Sequence, residues 1–314
     1  MPLFRMLIGM TIPLTGTQYE IEAGEYRATV TELGAGLRQL EHSGTPLVTT
    51  FDADQLPPHS AGELLSPWPN RVDAGRYSFD GARYQLALSE PAHGNAIHGL
   101  TRWVPWTRTA HDRSEVTLTS VPHGSQGYPF AVQVDVTYRV DAESGLHVTV
   151  TAANKGSRPA PWGYGHHPYL TVASPTVDDC ELTLPADHWL PVDGRLIPSD
   201  APQSVAGTDY DFRTARKLGN TNLDTAFTGL SREQDGLAWV RLQAGGRGTG
   251  LWMDASCGWL QVFTSDGLEP EHARAALAVE PMTCPPNAFE SGQDLIVLAP
   301  RESVTVRWGI KNLP

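Results

Sequence analysis

Four short stretches carry side chains able to move protons or grip a polar ligand: SPWPNRVDAGRYSFDG (66–81), HGNAIHGL (93–100), GYGHHPYL (163–170) and LAVEPMTCPPNAFE (277–290). A fifth, NTNLDTAFTG (220–229), adds a carboxylate. Glu280 closes the apolar run ALAV where the chain meets a proline. A carboxyl so placed is desolvated, which lifts its pKa toward neutrality and suits it to general-base work. The plain alternative is an edge residue facing solvent. His166 and His167 stand side by side before Pro168. In an extended chain neighbours point to opposite faces, so only one of the two can enter a pocket. Pro168 pushes the residue before it toward extended geometry. An imidazole titrates near pH 6.5 and serves as a general acid.

The other candidates bind rather than react. Arg71, beside Asn70, lies in a proline-punctuated stretch before a hairpin, and its planar fork suits hydroxyls, carboxylates or phosphates. The alternative is a surface arginine paired with Asp73. His98 precedes Gly99, which would let backbone approach a ligand; the alternative is a buried ring with satisfied hydrogen bonds. Asp224 lies in a polar turn region, where an Asx turn would also explain it. His93 and His98 are five apart, but H-E-x-x-H, the H-x-H…E pattern and any Cys/His cluster are missing. The expectation is therefore no metal and no cofactor.

The bulk numbers narrow the class. The 314 residues carry a net charge of −12 with no long basic run, which argues against a nucleic-acid surface or an anionic membrane. No stretch approaches the roughly 20 apolar residues that span a bilayer. The three cysteines, Cys180, Cys257 and Cys284, are far apart and read as free thiols of a reducing cytosol, hence a cytoplasmic protein. The start, MPLFRMLIGMTIPLTG, loosely imitates a signal peptide but is interrupted by Gly9 and Pro13 and has no A-x-A-like cleavage site. We read 1–17 as an N-terminal extension or edge segment and 18–314 as one domain.

The elements that must position these groups are strands. In GRYSFDGARYQLAL, Tyr77 and Phe79 alternate before Asp80-Gly81, and Tyr84, Leu86 and Leu88 alternate after it, which predicts a hairpin. FAVQVDVTYRV (130–140) and GLHVTVTAANKG (145–156) make another around DAESG. ELTLPA, AWVRLQAG, GWLQVFTS, DLIVLAP and VTVRWGI read the same way. EPEHARAALAVE (269–280) has helix-friendly composition, yet its end reads better as a short strand halted by Pro281. Many strands at short spacing with no linker predict an all-β fold, a large antiparallel β-sandwich or barrel with little helix.

Taken in order, the five stretches resemble the aldose 1-epimerase (galactose mutarotase) family. NRVDAGRYSFDG followed by AIHG, then HPYL, DTAF and VEPMTCPPNAF match that family's motifs from about residue 18 to 312. The resemblance implies a galactose mutarotase-like supersandwich. It implies Glu280 as general base and His167 as general acid, with Arg71, His98 and Asp224 binding sugar. It departs from the family at IHGL, where L-H-G-G is usual, at EPMTCPP beside the glutamate, and at GYGH before the histidine. These departures resemble a bacterial branch that includes proposed mutarotases for sulfoquinovose, a sulfonated glucose.

The implied chemistry interconverts α and β anomers of a free aldose, a small-molecule partner, with the protein a monomer or homodimer. One base and one acid on opposite sides of the acetal carbon are sufficient. Of nine tryptophans, Trp68, Trp103, Trp162, Trp252 and Trp259 lie near the motifs, and Trp162 is the candidate wall for a sugar ring. Two other readings compete. One is a non-catalytic carbohydrate-binding or sensor protein on the same scaffold. The other is a glycosidase or lyase, which needs a second carboxylate facing Glu280.

Overall fold

A computed structural model describes residues 12–121, 124–172 and 174–314. Most of the expected N-terminal extension, 1–11, lies outside the described residues. Thr15 is already buried, donating its hydroxyl and its amide to the Ala53 carbonyl at 2.8 and 3.1 Å.

Period-two sequence has become strand almost throughout. A nine-stranded antiparallel sheet has at its centre Val132–Asp141, Gly145–Asn154, the C-terminal strand Ser303–Leu313 and Arg247–Met253. The strand Val132–Asp141 alternates buried and less buried positions along its length. Its Val134, Val136 and Tyr138 share one apolar core with Phe227, Leu260, Val262, Leu277 and Val279 from a second large sheet. That second sheet has eight strands. Each buried Val, Leu or Phe side chain contributes about 1.5–3 kcal/mol, so the shared core dominates the fold's stability. A four-stranded sheet, Gln18–Ala23, Tyr26–Thr31, Leu37–His42 and Thr45–Pro46, completes the main framework. Among the described residues the α-helical content is the single turn Ala288–Ser291. All three cysteines are buried free thiols, and no described helix is long and apolar enough to cross a membrane.

The hairpin at Asp80-Gly81 forms with both residues at positive φ, 49° and 74°, between Arg76–Phe79 and Ala82–Gln85. The alternation stops there: Leu86 is buried but Leu88 is exposed. The segment 277–282 is a strand, as expected, but Pro281 does not halt it. The strand Leu277–Met282 runs through the proline, which pairs with Leu260. The neighbouring amides of Val279 and Thr283 donate to Pro168 and Tyr164 on the other side, and Pro281 meets that side where its partner is broken into two short strands, Gly165–His166 and Tyr169–Leu170.

Gly99 has a different task from the one expected. It sits at φ +70°, and a Cβ there would penetrate the Ser66 carbonyl oxygen. Its close approach is to protein backbone, pinning the His98 loop to the proline-rich segment. Leu100 N–H then reaches Ser66 O at 2.7 Å. Replacing Gly99 with Ala is expected to cost about 1–3 kcal/mol through strain and displacement. A thermal melt should show a clearly lower midpoint; an unchanged midpoint contradicts the packing described.

Candidate active site

The Glu280 strand is buried on both faces. Alternation sends Leu277 and Val279 into the core and leaves Ala278, Glu280 and Met282 on the opposite face. Register then lines up partners. Gln261 lies opposite Glu280, and Ala226 opposite Gln261. On the other side Gly165 pairs with Met282 and Tyr169 with Ala278, which places His167 opposite Glu280. The short strand Leu64–Leu65 pairs with Gly165–His166 and carries the row on to Glu63. Backbone bonds lock that join: His167 N–H donates to Glu63 O at 3.0 Å and Gly62 N–H to His167 O at 2.8 Å. The result is one polar row, Gln261, Glu280, His167 and Glu63, across a sheet face. Apolar clusters flank it, with Leu190, Ala226, Trp259 and Met282 in one and Phe51, Ala61, Tyr169 and Ala278 in the other.

The adjacent histidines part as the alternation requires. His166 faces the core, wholly buried, between two phenols. Trp308 Nε1–H donates to Tyr164 Oη at 2.7 Å, and Tyr164 Oη lies 3.1 Å from His166 Nδ1. Tyr138 donates to Ala35 O at 2.6 Å and lies 3.4 Å from His166 Nε2. Reading the donors in sequence places the His166 proton on Nε2. Burial pushes its pKa down to about 3, so it is a neutral structural ring. His167 faces the other way, with Nε2 at 3.3 Å from Glu280 Oε1.

Around this contact lie the remaining candidates. The two-stranded ladder Arg71–Val72 with Ala96–Ile97 sets Asn70 opposite His98, and His98 N–H donates to Asn70 O at 2.9 Å. Both residues have positive φ. The His98 and His167 rings meet edge to face with centroids 5.4 Å apart. Asp224 is the first residue of a strand and accepts from Gln261 Nε2 at 2.6 Å, so its carboxylate is not spent on an Asx turn. Arg71 does not pair with Asp73. It grips Glu90 through Nε and Nη2 at 2.9–3.1 Å, and its Nη1 stops 3.9 Å from Asp224 Oδ2. Asp73 is taken by Arg195 instead, at 2.6 Å. Arg71 is further held by the Pro-Pro-Asn loop: Asn287 N–H donates to Arg71 O at 2.6 Å. The side chains of Arg71 and Asp224, 11% and 29% exposed, form the mouth, while Glu280 and His167 lie deeper.

Trp162 is not a wall for a ligand. It is fully buried in the strand Ala160–Trp162, stacks on Tyr164 and donates its indole N–H to Ser66 Oγ at 2.9 Å. Proximity in sequence to His167 placed it near the site, but it packs into the core. Four residues join the site that the motifs did not single out: Gln261, Glu63, Arg102 and Glu90. Gln261 had a signal, a polar residue between Trp259 and Phe263 on one face of an alternating strand. Glu63 and Arg102 form a buried pair at 3.0 Å that only the register reveals.

The electrostatics follow from burial. Desolvation lifts the Glu280 carboxyl well above its usual range, and Asp224 adds to this while Arg71 opposes it. Burial pushes His167 down, with Arg102, His59 and Arg71 reinforcing it. Burial likewise holds His98 well below its ordinary value, as do His167, Arg102 and Arg71. Glu280 Oε2, His167 Nδ1, His98 Nδ1 and Gln261 Oε1 are buried and have no partner among the described residues. Buried polar atoms are almost always satisfied, so four unpartnered ones in one cluster make this the candidate place for a polar ligand. A surface hollow of about 420 Å³ lined by Glu20, Arg27, Gln39 and Arg113 shares no residue with this cluster.

Ionising Glu280 in this setting opposes folding. Its folded pKa lies above the unfolded value of about 4.3, so the stability it contributes is complete below that pH and is lost as pH rises through the folded pKa. Glu280→Gln, which cannot ionise, is expected to melt above wild type, with a gap that widens as pH rises from about 5 toward 8. Melts giving a constant or shrinking gap would refute the desolvation described.

A family model, Aldose 1-epimerase, matches residues 17–311. The chain is 36% identical over 284 residues to uncharacterized protein YihR of Escherichia coli (strain K12), covering 90% of this chain and 89% of that protein. It is 29% identical over 270 residues to the galactose mutarotase of Sus scrofa, covering 82% and 77%. Among solved structures, a GalM/aldose epimerase homologue from C. elegans superposes with a TM-score of 0.83 at 22% identity, over 95% of this chain and 99% of that one. Galactose 1-epimerase from Lactobacillus acidophilus NCFM gives 0.78 at 22% identity, covering 93% and 92%, so both share the supersandwich fold. The chain belongs to the aldose 1-epimerase family, isomerases of the mutarotase type.

Proposed function

We propose that the protein interconverts the α and β anomers of a free hexose, with Glu280 as the base and His167 as the acid. The observation that carries this reading is the 3.3 Å contact between His167 Nε2 and Glu280 Oε1 in a polar row lined with unpartnered atoms. The two groups lie side by side rather than across a gap. That suits a hemiacetal, whose reacting oxygens, O1 and O5, hang from one carbon. Glu280 takes the O1 proton, the C1–O5 bond breaks with its electron pair passing to O5, and His167 gives O5 a proton. Rotation about C1–C2 presents the other carbonyl face. His167 then recovers the O5 proton as O5 attacks C1, and the Glu280 carboxyl returns its proton to O1. Arg71, Asn70, His98 and Asp224, with Gln261, grip the hydroxyls.

The pair carries one proton in its working state, Glu280 ionised and His167 protonated. Burial pulls each group toward its neutral form, so ionisation of the pair is favoured when the sugar's polar oxygens replace lost water. A glycosidase is disfavoured because the group touching Glu280 is an imidazole, and Asp224 is engaged by Gln261. A binder or sensor that lacks activity would have no use for a desolvated acid–base contact.

Freshly dissolved α-glucose, α-galactose and sulfonated and 6-phosphorylated hexoses form the test panel, followed by polarimetry or anomeric NMR signals. At least one should equilibrate faster with catalytic protein. Glu280→Gln and His167→Asn should each lose about 10²–10⁴-fold in kcat. The kcat/KM profile should be a bell, falling at low pH as the pair gains a second proton and at high pH as it loses its only one, with apparent values that belong to the pair. No acceleration with any aldose favours the binder, and release of a reducing end from a glycoside favours the hydrolase.

A further inference from the structure

The fork of Arg71 is only half available. Its Nε and Nη2 edge is clamped by Glu90, with Nε at 3.1 and 2.9 Å from the two carboxylate oxygens and Nη2 at 2.9 Å from Oε1. Glu90 is itself held. It receives Asn95 Nδ2 at 3.4 Å and lies 3.1 Å from His93 Nδ1, and the amides of His93, Gly94 and Asn95 turn back onto its carbonyl. Asn95 is tied in turn to Arg195, through Arg195 Nη2 to Asn95 Oδ1 at 2.8 Å and Asn95 Nδ2 to Arg195 O at 2.9 Å. Arg71 and Glu90 are both largely buried, so this is a low-dielectric, bidentate pair. Across the mouth Asp224 is fixed by Gln261, and Arg71 Nη1 halts at 3.9 Å from it, outside hydrogen-bond range.

An unclamped guanidinium beside Asp224 would tighten that loose 3.9 Å ion pair into a direct hydrogen bond and seal the mouth. We infer that Glu90 is a positioning residue that holds Arg71 off Asp224, leaving one donor, Nη1, and one acceptor, Oδ2, spaced for two neighbouring hydroxyls of the substrate. One hydroxyl accepts from Nη1 and the next donates to Asp224. The clamp also offsets much of the charge of Arg71, so the subsite reads a vicinal diol mainly by direction of hydrogen bonding. This inference rests on the assignment of Arg71 and Asp224 to sugar binding.

The test measures kcat and KM for Glu90→Gln and Glu90→Asp with the aldose that wild type turns over fastest, below the melting midpoint of each variant. Glu90→Gln should raise KM about tenfold while kcat stays within about twofold, the loss of one charge-assisted contact. Glu90→Asp, which keeps the charge, should recover part of the affinity. In an Asp224→Asn background, where Arg71 has no charge to collapse onto, adding Glu90→Gln should change KM far less than in wild type. Wild-type KM in Glu90→Gln, an equal fall of kcat and kcat/KM, or a fully additive cycle overturns the clamp. Arg71→Lys separates the two levels. If its KM is unchanged, the sugar-binding assignment falls and the clamp with it. If its KM rises while Glu90→Gln behaves as wild type, the clamp alone falls.

Discussion

Everything in the site depends on taking one carboxyl out of water and setting it against one imidazole. Glu280 sits in the middle of a sheet, on a strand buried along its whole length, with His167 Nε2 at 3.3 Å. Left alone, such a carboxyl would stay protonated and such a ring neutral, because the interior penalises each charged form. In the proposed mechanism the two share one mobile proton, and the same desolvation that costs folding stability makes its position sensitive to a polar molecule entering the site. The two guanidinium groups nearest this balance are each paired, Arg102 with Glu63 and Arg71 with Glu90.

The sheet delivers this contact by register rather than by any loop. Pairing of the Glu280 strand with Gly165 and Tyr169 fixes which residue faces Glu280, and a slip of one would present His166 or Pro168 instead. Two prolines mark the spot. Pro168 extends His167, and Pro281 removes a donor at the point where the partner strand is interrupted. His166, on the core face, anchors the segment through Tyr164, Tyr138 and the Trp308 indole. The pair of histidines is thus one ring facing the core and one facing Glu280, separated by the two faces of a single strand.

Loops then build a mouth on that rigid face. The His98 loop, the proline-rich segment at 66–72 and the Pro-Pro-Asn turn meet through backbone bonds at Ser66, Asn70 and Arg71. Positive φ at Asn70, His98 and Asn287 shows that these turns hold conformations most side chains avoid, which ties local strain to the place where side chains must point inward. The indole of Trp162 lies beneath this junction, bonded to Ser66, and supports it from the core.

Alternation is a property of a single strand, so the sequence by itself determined much. It predicted an all-β fold, the two-residue hairpin at Asp80-Gly81, the opposite faces of His166 and His167, and an apolar run that buries Glu280. The ordered motifs added the family. Pairing between distant segments is a different kind of information, set by register and packing across tens to hundreds of residues. Only the tertiary structure decided that Arg71 answers to Glu90 and not Asp73, and that Gly99 packs against Ser66. It also decided that Trp162 is core, and that Gln261 and Glu63 extend the row on either side of Glu280 and His167. Local spacing encodes which way a side chain points; what it then meets depends on strands brought beside it from elsewhere in the chain.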